Sequence, residues 1–293
     1  MKVFYNMAIM EYNQFKQIFN ETIFEKSKSH LLTKVAEEPH RYIGIFRPTK
    51  PKGKILQNLL QSNEIRFGDA FEIIIEKYLK TKECKILNKN YEVNGKKLNI
   101  DQCFQINNKI YFIEQKVRDD HDSTKKRGQH QNFDTKVDIM IEKHGENNLV
   151  GIVYFIDPSL KKNKKYLSEE LNSVSNDYNV ECHLFYGKEL FTFLNYEDVW
   201  NEINDYLVQW RSEIPELPII NFDIDAINTF SEIKDLRPSV FRNLFSNDEI
   251  FKEIILTLFP EKTTLKLLLN YFSQKPETIY RTIADGLAQR ISC

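Results

Sequence analysis

Apolar residues recur at helical spacing through EYNQFKQIFNETIFEKS near the start of the chain, which predicts an amphipathic helix there. Pro48 and Pro51 then punctuate a stretch that reads as loop. After Gly68, DAFEIIIEKYLK sets Ala70, Phe71, Ile74, Ile75, Tyr78 and Leu79 on a broad apolar surface. Asp69, Glu72 and Glu76 line another flank, and the segment predicts a helix. The period then changes. KLNIDQCFQINNKIYFIEQKV reads as two strands joined by a two-residue turn at Asn107 and Asn108, because Asn tolerates the positive φ that such hairpin turns require. NLVGIVYFID is a continuous apolar run of the kind found in a strand covered on both faces, and VECHLFYG is a further strand. Between them YLSEELNSVSNDYN is helical in pattern, so strand, helix and strand form a parallel crossover and point to an α/β core.

KELFTFLNYEDVWNEINDYLVQWR is again helical in pattern, and SEIPELPIINFDIDAIN, with its two prolines, is the best boundary in the chain. Residues 1–211 are therefore expected to form a core with an N-terminal helical segment, and 212–293 a helical C-terminal region. NDEIFKEIILTLF, TTLKLLLNYFSQ and KPETIYRTIADGLAQRI are three short amphipathic segments. They suit a helix-turn-helix unit, a dimerisation element or a packed subdomain.

Composition narrows the class. A chain of 293 residues accommodates one large domain or a core with an appendage, and 41% hydrophobic with 13% aromatic residues is ample for a folded interior. Cys84, Cys103, Cys182 and Cys293 form no CxxC pair and have no His at zinc spacing, so neither a disulfide framework nor a structural zinc site is indicated. A reducing cytoplasm fits this usage. MKVFYNMAIMEYNQF is interrupted by polar residues before reaching signal-peptide length, and no run is long enough to span a bilayer, so a soluble protein is expected. A net charge of −1 argues against coating nucleic acid through bulk positive charge. Local basic clusters remain at Lys50, Lys52 and Lys54 and at Lys125, Lys126 and Arg127, as phosphate contacts or as solvated loops.

The chemistry concentrates on the hairpin. With Asn107 and Asn108 as the turn, Ile106 pairs with Lys109 and Gln105 with Ile110, which sets Asp101 opposite Glu114. Strand alternation sends Glu114 and Lys116 to one face and Gln115 to the other. Like charges directly opposed are destabilising, so something positive is expected between the two acids. Hard oxygen ligands of this kind suit Mg²⁺, which takes only one or two protein carboxylates and keeps several waters. Such an ion polarises a phosphoryl oxygen and acidifies water, while Lys116 can orient or deprotonate the attacking water or stabilise charge on the phosphate. A cross-strand salt-bridge cluster is the plain structural alternative, made awkward by two facing acids with a single lysine.

Asp101 followed by Glu114-Gln115-Lys116 resembles the D…ExK core of the PD-(D/E)xK nuclease superfamily, with Ile100 where the usual Pro stands. The resemblance spans about Arg66 to Phe133. It implies a restriction-endonuclease-like αβα core with a mixed central sheet, N-terminal helices and a C-terminal helical region. RFGDAFEIIIEKYL resembles the helix that carries a glutamate toward the metal site in these enzymes, with Glu72 the first choice and Glu76, one turn on, the second. The resemblance thus gives Asp101, Glu114, Lys116 and Glu72 as catalytic residues, and Asp101 and Glu114 as Mg²⁺ ligands. RDDHDSTKKRGQHQNFDTKVDIMIEK, just after the motif, is rich in side chains that read base edges or hold phosphates: Lys125, Lys126, Arg127, Gln129 and Gln131, or else a polar loop and helix start. His121 and His130 are not assigned to the metal.

A type II restriction endonuclease is the activity implied, cutting double-stranded DNA at a short specific sequence as a homodimer, with a cognate DNA methyltransferase protecting host DNA. Two other readings stay open: a structure-directed repair or recombination nuclease, and a non-catalytic DNA-binding regulator with a C-terminal helix-turn-helix.

Overall fold

A computed structural model of the chain describes residues 8–93, 96–118 and 123–292, with side chains except at Val93, Lys96 and 123–131. In chain order the main elements begin with helices α1 (Tyr12–Phe24), α2 (Ser27–Glu37) and α3 (Pro51–Thr81). Strands β1 (Lys85–Ile86), β2 (Asn90–Val93), β3 (Lys96–Asn99), β4 (Gln102–Ile106) and β5 (Lys109–Lys116) follow. Then come α4 (Ser123–His144), β6 (Leu149–Phe155), α5 (Lys164–Tyr178), β7 (Glu181–Tyr186), α6 (Lys188–Phe193) and α7 (Glu197–Glu213). The chain ends in α8 (Ala226–Ile233), α9 (Pro238–Ser246), a helical run over 248–258, α12 (Thr263–Ser273) and α13 (Thr278–Ile291). Within that run α10 (Asp248–Ile250) and α11 (Leu256–Leu258) flank one wider turn at Phe251–Ile255.

Five strands form a mixed sheet in the order β1-β4-β5-β6-β7. The first three pair antiparallel and the last three parallel, which is the expected hairpin joined to the expected crossover. β6 is buried along its whole length, as its unbroken apolar run requires. One face of the sheet packs Phe112, Leu149, Val153 and Phe155 against Phe133, Val137 and Met140 of α4 and Leu171 and Val174 of α5. On the other face Tyr154 meets Phe191 of α6, and Gln102 bonds the backbone of α3. The result is a restriction-endonuclease-like αβα sandwich, with helices before and after it in the chain.

Two local expectations need correction. Pro51 does not belong to a loop. It opens a helix of 31 residues that runs through Gly53 and Gly68 to Thr81, because a proline at the first helical position loses no hydrogen bond and already holds a helical φ. Gly68 is kept where the helix passes Val117, 3.4 Å from the position a Cβ would take. The first hairpin strand is also split: Lys96–Asn99 pairs with Asn90–Val93 in a separate two-stranded ribbon, and β4 starts only at Gln102. Ile100 and Asp101 lie at the bend between them, so Asp101 lies off the strand proper while keeping its register.

The chain packs as two units, one of residues 1–22 and 65–214, the other of 23–64 and 215–293. The first holds the sandwich. In the second, Leu31, Leu32 and Val35 of α2 and Ile55 and Leu59 of α3 share one apolar core with Val240, Phe241, Ile254, Leu268, Phe272 and Leu287. A change of unit falls at 214/215, and 23–64 packs with the C-terminal helices. No helix among the described residues is long and apolar enough to cross a membrane.

Candidate active site

The site is built at the C-terminal end of β5, a strand held on both sides by β4 and β6. Alternation carries Phe112, Glu114 and Lys116 to one face. Phe112 belongs to the apolar core beneath α4, so Glu114 is delivered to the rim of that core and is only 8% exposed. A carboxylate there is expensive unless it is paired. Two lysines meet it: Lys116 Nζ donates to one oxygen at 2.5 Å, and Lys136 Nζ of α4 donates to the other. Burial pushes the Glu114 carboxyl up, but the two lysines outweigh it and hold the carboxyl below its ordinary range.

Lys136 did not emerge from the sequence reasoning, although a signal was present. Phe133, Lys136, Val137 and Met140 follow helical spacing along one stripe, and three of the four are core residues. A lysine on a buried stripe almost always has a partner. At 2% exposure Lys136 has its partner in Glu114.

Asp101 is placed by the hairpin register. Gln102 pairs with Ile113, and one further step sets Asp101 opposite Glu114. Its Oδ2 accepts a hydrogen bond from the Gln115 backbone N–H at 2.6 Å, which pins the carboxylate beside β5. Burial and the charge of Glu114 push the Asp101 carboxyl up to about 6, against the pull of Lys136, the Gln115 amide and Lys116.

Glu72 arrives from α3. Gln102, buried on the opposite face of the hairpin, donates to the Glu72 carbonyl at 2.7 Å and to Gln115 Oε1 at 3.2 Å, and so ties α3 to both hairpin strands. Burial first, then the charges of Asp101, Asp69 and Glu114, push the Glu72 carboxyl up to about 7, with Lys89 opposing. Among the described residues no hydrogen bond or ion pair engages that carboxylate. Glu76 is different. Lys80 and Lys89 bind its two oxygens at 2.6 and 2.8 Å and, against burial, hold its carboxyl below its ordinary range. Lys89 also donates to the Asp101 carbonyl at 3.2 Å.

Glu72, Asp101 and Glu114 therefore share one field, with Lys116 and Lys136 on Glu114. No group of three His, Cys, Asp or Glu side chains among the described residues forms a ready-made metal cage. The donor chemistry nonetheless suits a hard divalent ion. These are carboxylate oxygens, and burial together with mutual repulsion raises the carboxyls of Asp101 and Glu72, a cost that a cation would offset. Lys125, Lys126, Arg127, Gln129 and Gln131 fall on α4, and their side chains lie outside the described residues, as does that of His130. His121 lies outside them altogether. Lys50, Lys52 and Lys54 belong to the second unit, at the start of α3.

The family model described as "Type II restriction endonuclease, HinfI" matches residues 11–99 and 84–211, two segments that together cover more than half the chain. The chain belongs to this family of type II restriction endonucleases. As a member of the HinfI family it is a nuclease with a DNA substrate, and divalent-metal use is general in the family. The matched residues contain the whole αβα sandwich and stop at 211, before the helices of the second unit that follow it. No match was found among the curated proteins or the solved structures compared with it.

Proposed function

We propose that the protein hydrolyses phosphodiester bonds of double-stranded DNA at a short specific sequence in a Mg²⁺-dependent reaction. The observation that carries this reading is the juxtaposition of Asp101 and Glu114 across the hairpin, with Lys116 on Glu114 and the unpaired carboxylate of Glu72 in the same field. Asp101 and Glu114 would hold the ion, with Glu72 as a further acidic group of the site. When bound, Mg²⁺ supplies positive charge and Lewis acidity at the scissile phosphate.

The remaining chemistry belongs to the chain. Lys116 carries its ammonium at the site by bonding Glu114, where it orients the attacking water and neutralises charge growing on the phosphate. Lys136 keeps Glu114 ionised while the site is empty of substrate. The Gln115 amide fixes the Asp101 carboxylate toward the site. Glu72, with its carboxyl raised to about 7, is able to exchange a proton near neutrality.

A two-fold homodimer is the assembly proposed for cutting both strands of a symmetric site, with the second unit serving DNA recognition or dimerisation. A cognate methyltransferase is the functional partner in the same system. The test is incubation of the purified protein with unmethylated phage DNA, with Mg²⁺ or with EDTA, beside Lys116→Ala. Discrete fragments that need both the metal and Lys116 support the proposal, a smear points to a structure-directed or non-specific nuclease, and intact DNA across several substrates overturns it.

A further inference from the structure

The second unit carries a surface that the catalytic cluster does not use. Between α2 and α3 the chain turns at Gly44, whose φ of +114° suits glycine, and then presents Ile45 and Phe46 at 91% and 92% exposure. Two adjacent large apolar side chains left almost wholly in water are unfavourable for a free protein and signal a partner. Their surroundings are basic. From Pro39 to Asn63 the sequence has no acidic residue and carries Arg41, Arg47, Lys50, Lys52 and Lys54.

Arg41 pairs with Glu38, but Arg47, Lys50, Lys52 and Lys54 have no ion-pair partner among the described residues. Arg47 Nε donates to the His40 carbonyl at 2.8 Å, which braces the loop. Glu249 and Glu253 line the same depression of roughly 450 Å³ as Arg47 and Lys50, and among the described residues they form no ion pair with them. Lys52 and Lys54 moreover stand in the first turn of α3, which has no acidic residue, although the positive end of a helix favours acids. The local arrangement costs stability and gathers cations without ion-pair partners beside an exposed apolar pair.

We infer that the loop 44–50, with Lys52 and Lys54, is a contact surface for duplex DNA, in which Arg47 and the lysines neutralise phosphates while Ile45 and Phe46 pack on sugars or wedge at a base step. The inference rests on the nuclease reading, since it takes DNA as the partner. A protein partner for an apolar pair would call for a mixed or acidic-complementary rim, whereas four unpaired cations match a polyanion.

The test uses the full chain, without metal, titrated with a fluorescent mixed-sequence duplex of about 40 base pairs at several salt concentrations. Each phosphate contact contributes about 0.9 to the slope of log affinity against log salt. The variant R47A/K50A/K52A/K54A is expected to weaken binding at least tenfold at low salt and, if each cation contacts a phosphate, to reduce the slope by about 3.6. I45S/F46S is expected to weaken binding several-fold with the slope unchanged, because it removes no charge. Circular dichroism checks that both variants keep the wild-type fold, since the substituted side chains are exposed except for the half-buried Lys54.

If both variants bind duplex like the wild type, the loop is not a DNA contact, whether or not the protein cuts DNA. If I45S/F46S instead changes the sedimentation coefficient with DNA affinity intact, the surface belongs to a second copy of the chain and the inference fails. If the wild type neither binds nor cuts DNA, the nuclease reading falls, and this inference with it.

Discussion

Glu72 and Glu76 lie one turn apart on the same helix and differ in what surrounds them. Two lysines occupy Glu76, while the Glu72 carboxylate faces Asp101 and Glu114. Glu72→Gln is therefore expected to lower the cleavage rate by about 10²-fold or more, and Glu76→Gln to change it by about threefold at most, in steady-state assays with Mg²⁺. The same residues set a pH dependence. Glu72 and Asp101 are raised from 4.5 and 3.8 to about 7 and about 6. In the metal-free protein the folded state then holds more protons than the unfolded chain between these limits. Stability should be greatest below pH 4 and fall as pH rises toward 7 on account of these two groups. Glu72→Gln should remove part of that fall and raise metal-free stability at pH 8 by about 1 kcal/mol, after allowance for solvent screening, in urea titrations. A variant as pH-sensitive as the wild type would refute the electrostatic account. Lys136→Met removes the buried one of the two lysines on Glu114 and is expected to cost about 2–3 kcal/mol by the same measurement.

At the scale of elements, the site depends on how closely α4 rests on the sheet. Gly151 of β6 makes that approach possible: a Cβ there would stand 2.7 Å from Phe112 Cζ and 3.2 Å from Phe133 Cζ. Phe112 and Phe133 stack with ring centroids 5.5 Å apart, and Lys136 lies one turn beyond Phe133. Gly151→Ala should push these rings apart, lower stability by about 1–3 kcal/mol, and displace Lys136 from Glu114. A thermal shift of less than 1 °C would show that the sheet and helix absorb the methyl freely. The hairpin has its own local determinant in Asn107, whose φ of +52° is the left-handed conformation anticipated for its turn.

At the scale of the molecule, the second unit is assembled from two distant stretches of chain. Residues 23–64 supply Leu31, Leu32, Val35, Ile55 and Leu59 to a core completed only by residues beyond 215. Truncation after residue 211 would uncover all five, each costing roughly 1.5–3 kcal/mol of burial. The fragment 1–211 is expected to aggregate on expression, whereas the full chain remains dispersed, as gel filtration would report. A dispersed, cooperatively folding fragment would mean that 23–64 packs adequately by itself.

Much of the sandwich was written into local sequence. Period-two and period-3.6 patterns depend on neighbours a few residues away, so the Asn107–Asn108 turn, the pairing of Ile106 with Lys109, and the crossover from β6 to β7 could be read directly. The juxtaposition of Asp101 and Glu114 followed from the turn, because antiparallel register propagates residue by residue. Contacts across long stretches of chain were not readable in this way. Lys136 reaches Glu114 from 22 residues on, Lys89 chooses Glu76 over Glu72, and α2 finds its core partners some two hundred residues later. Those choices turn on which charges and apolar faces meet once the layers stack, and burial in the assembled interior gives them an energy that no local pattern carries.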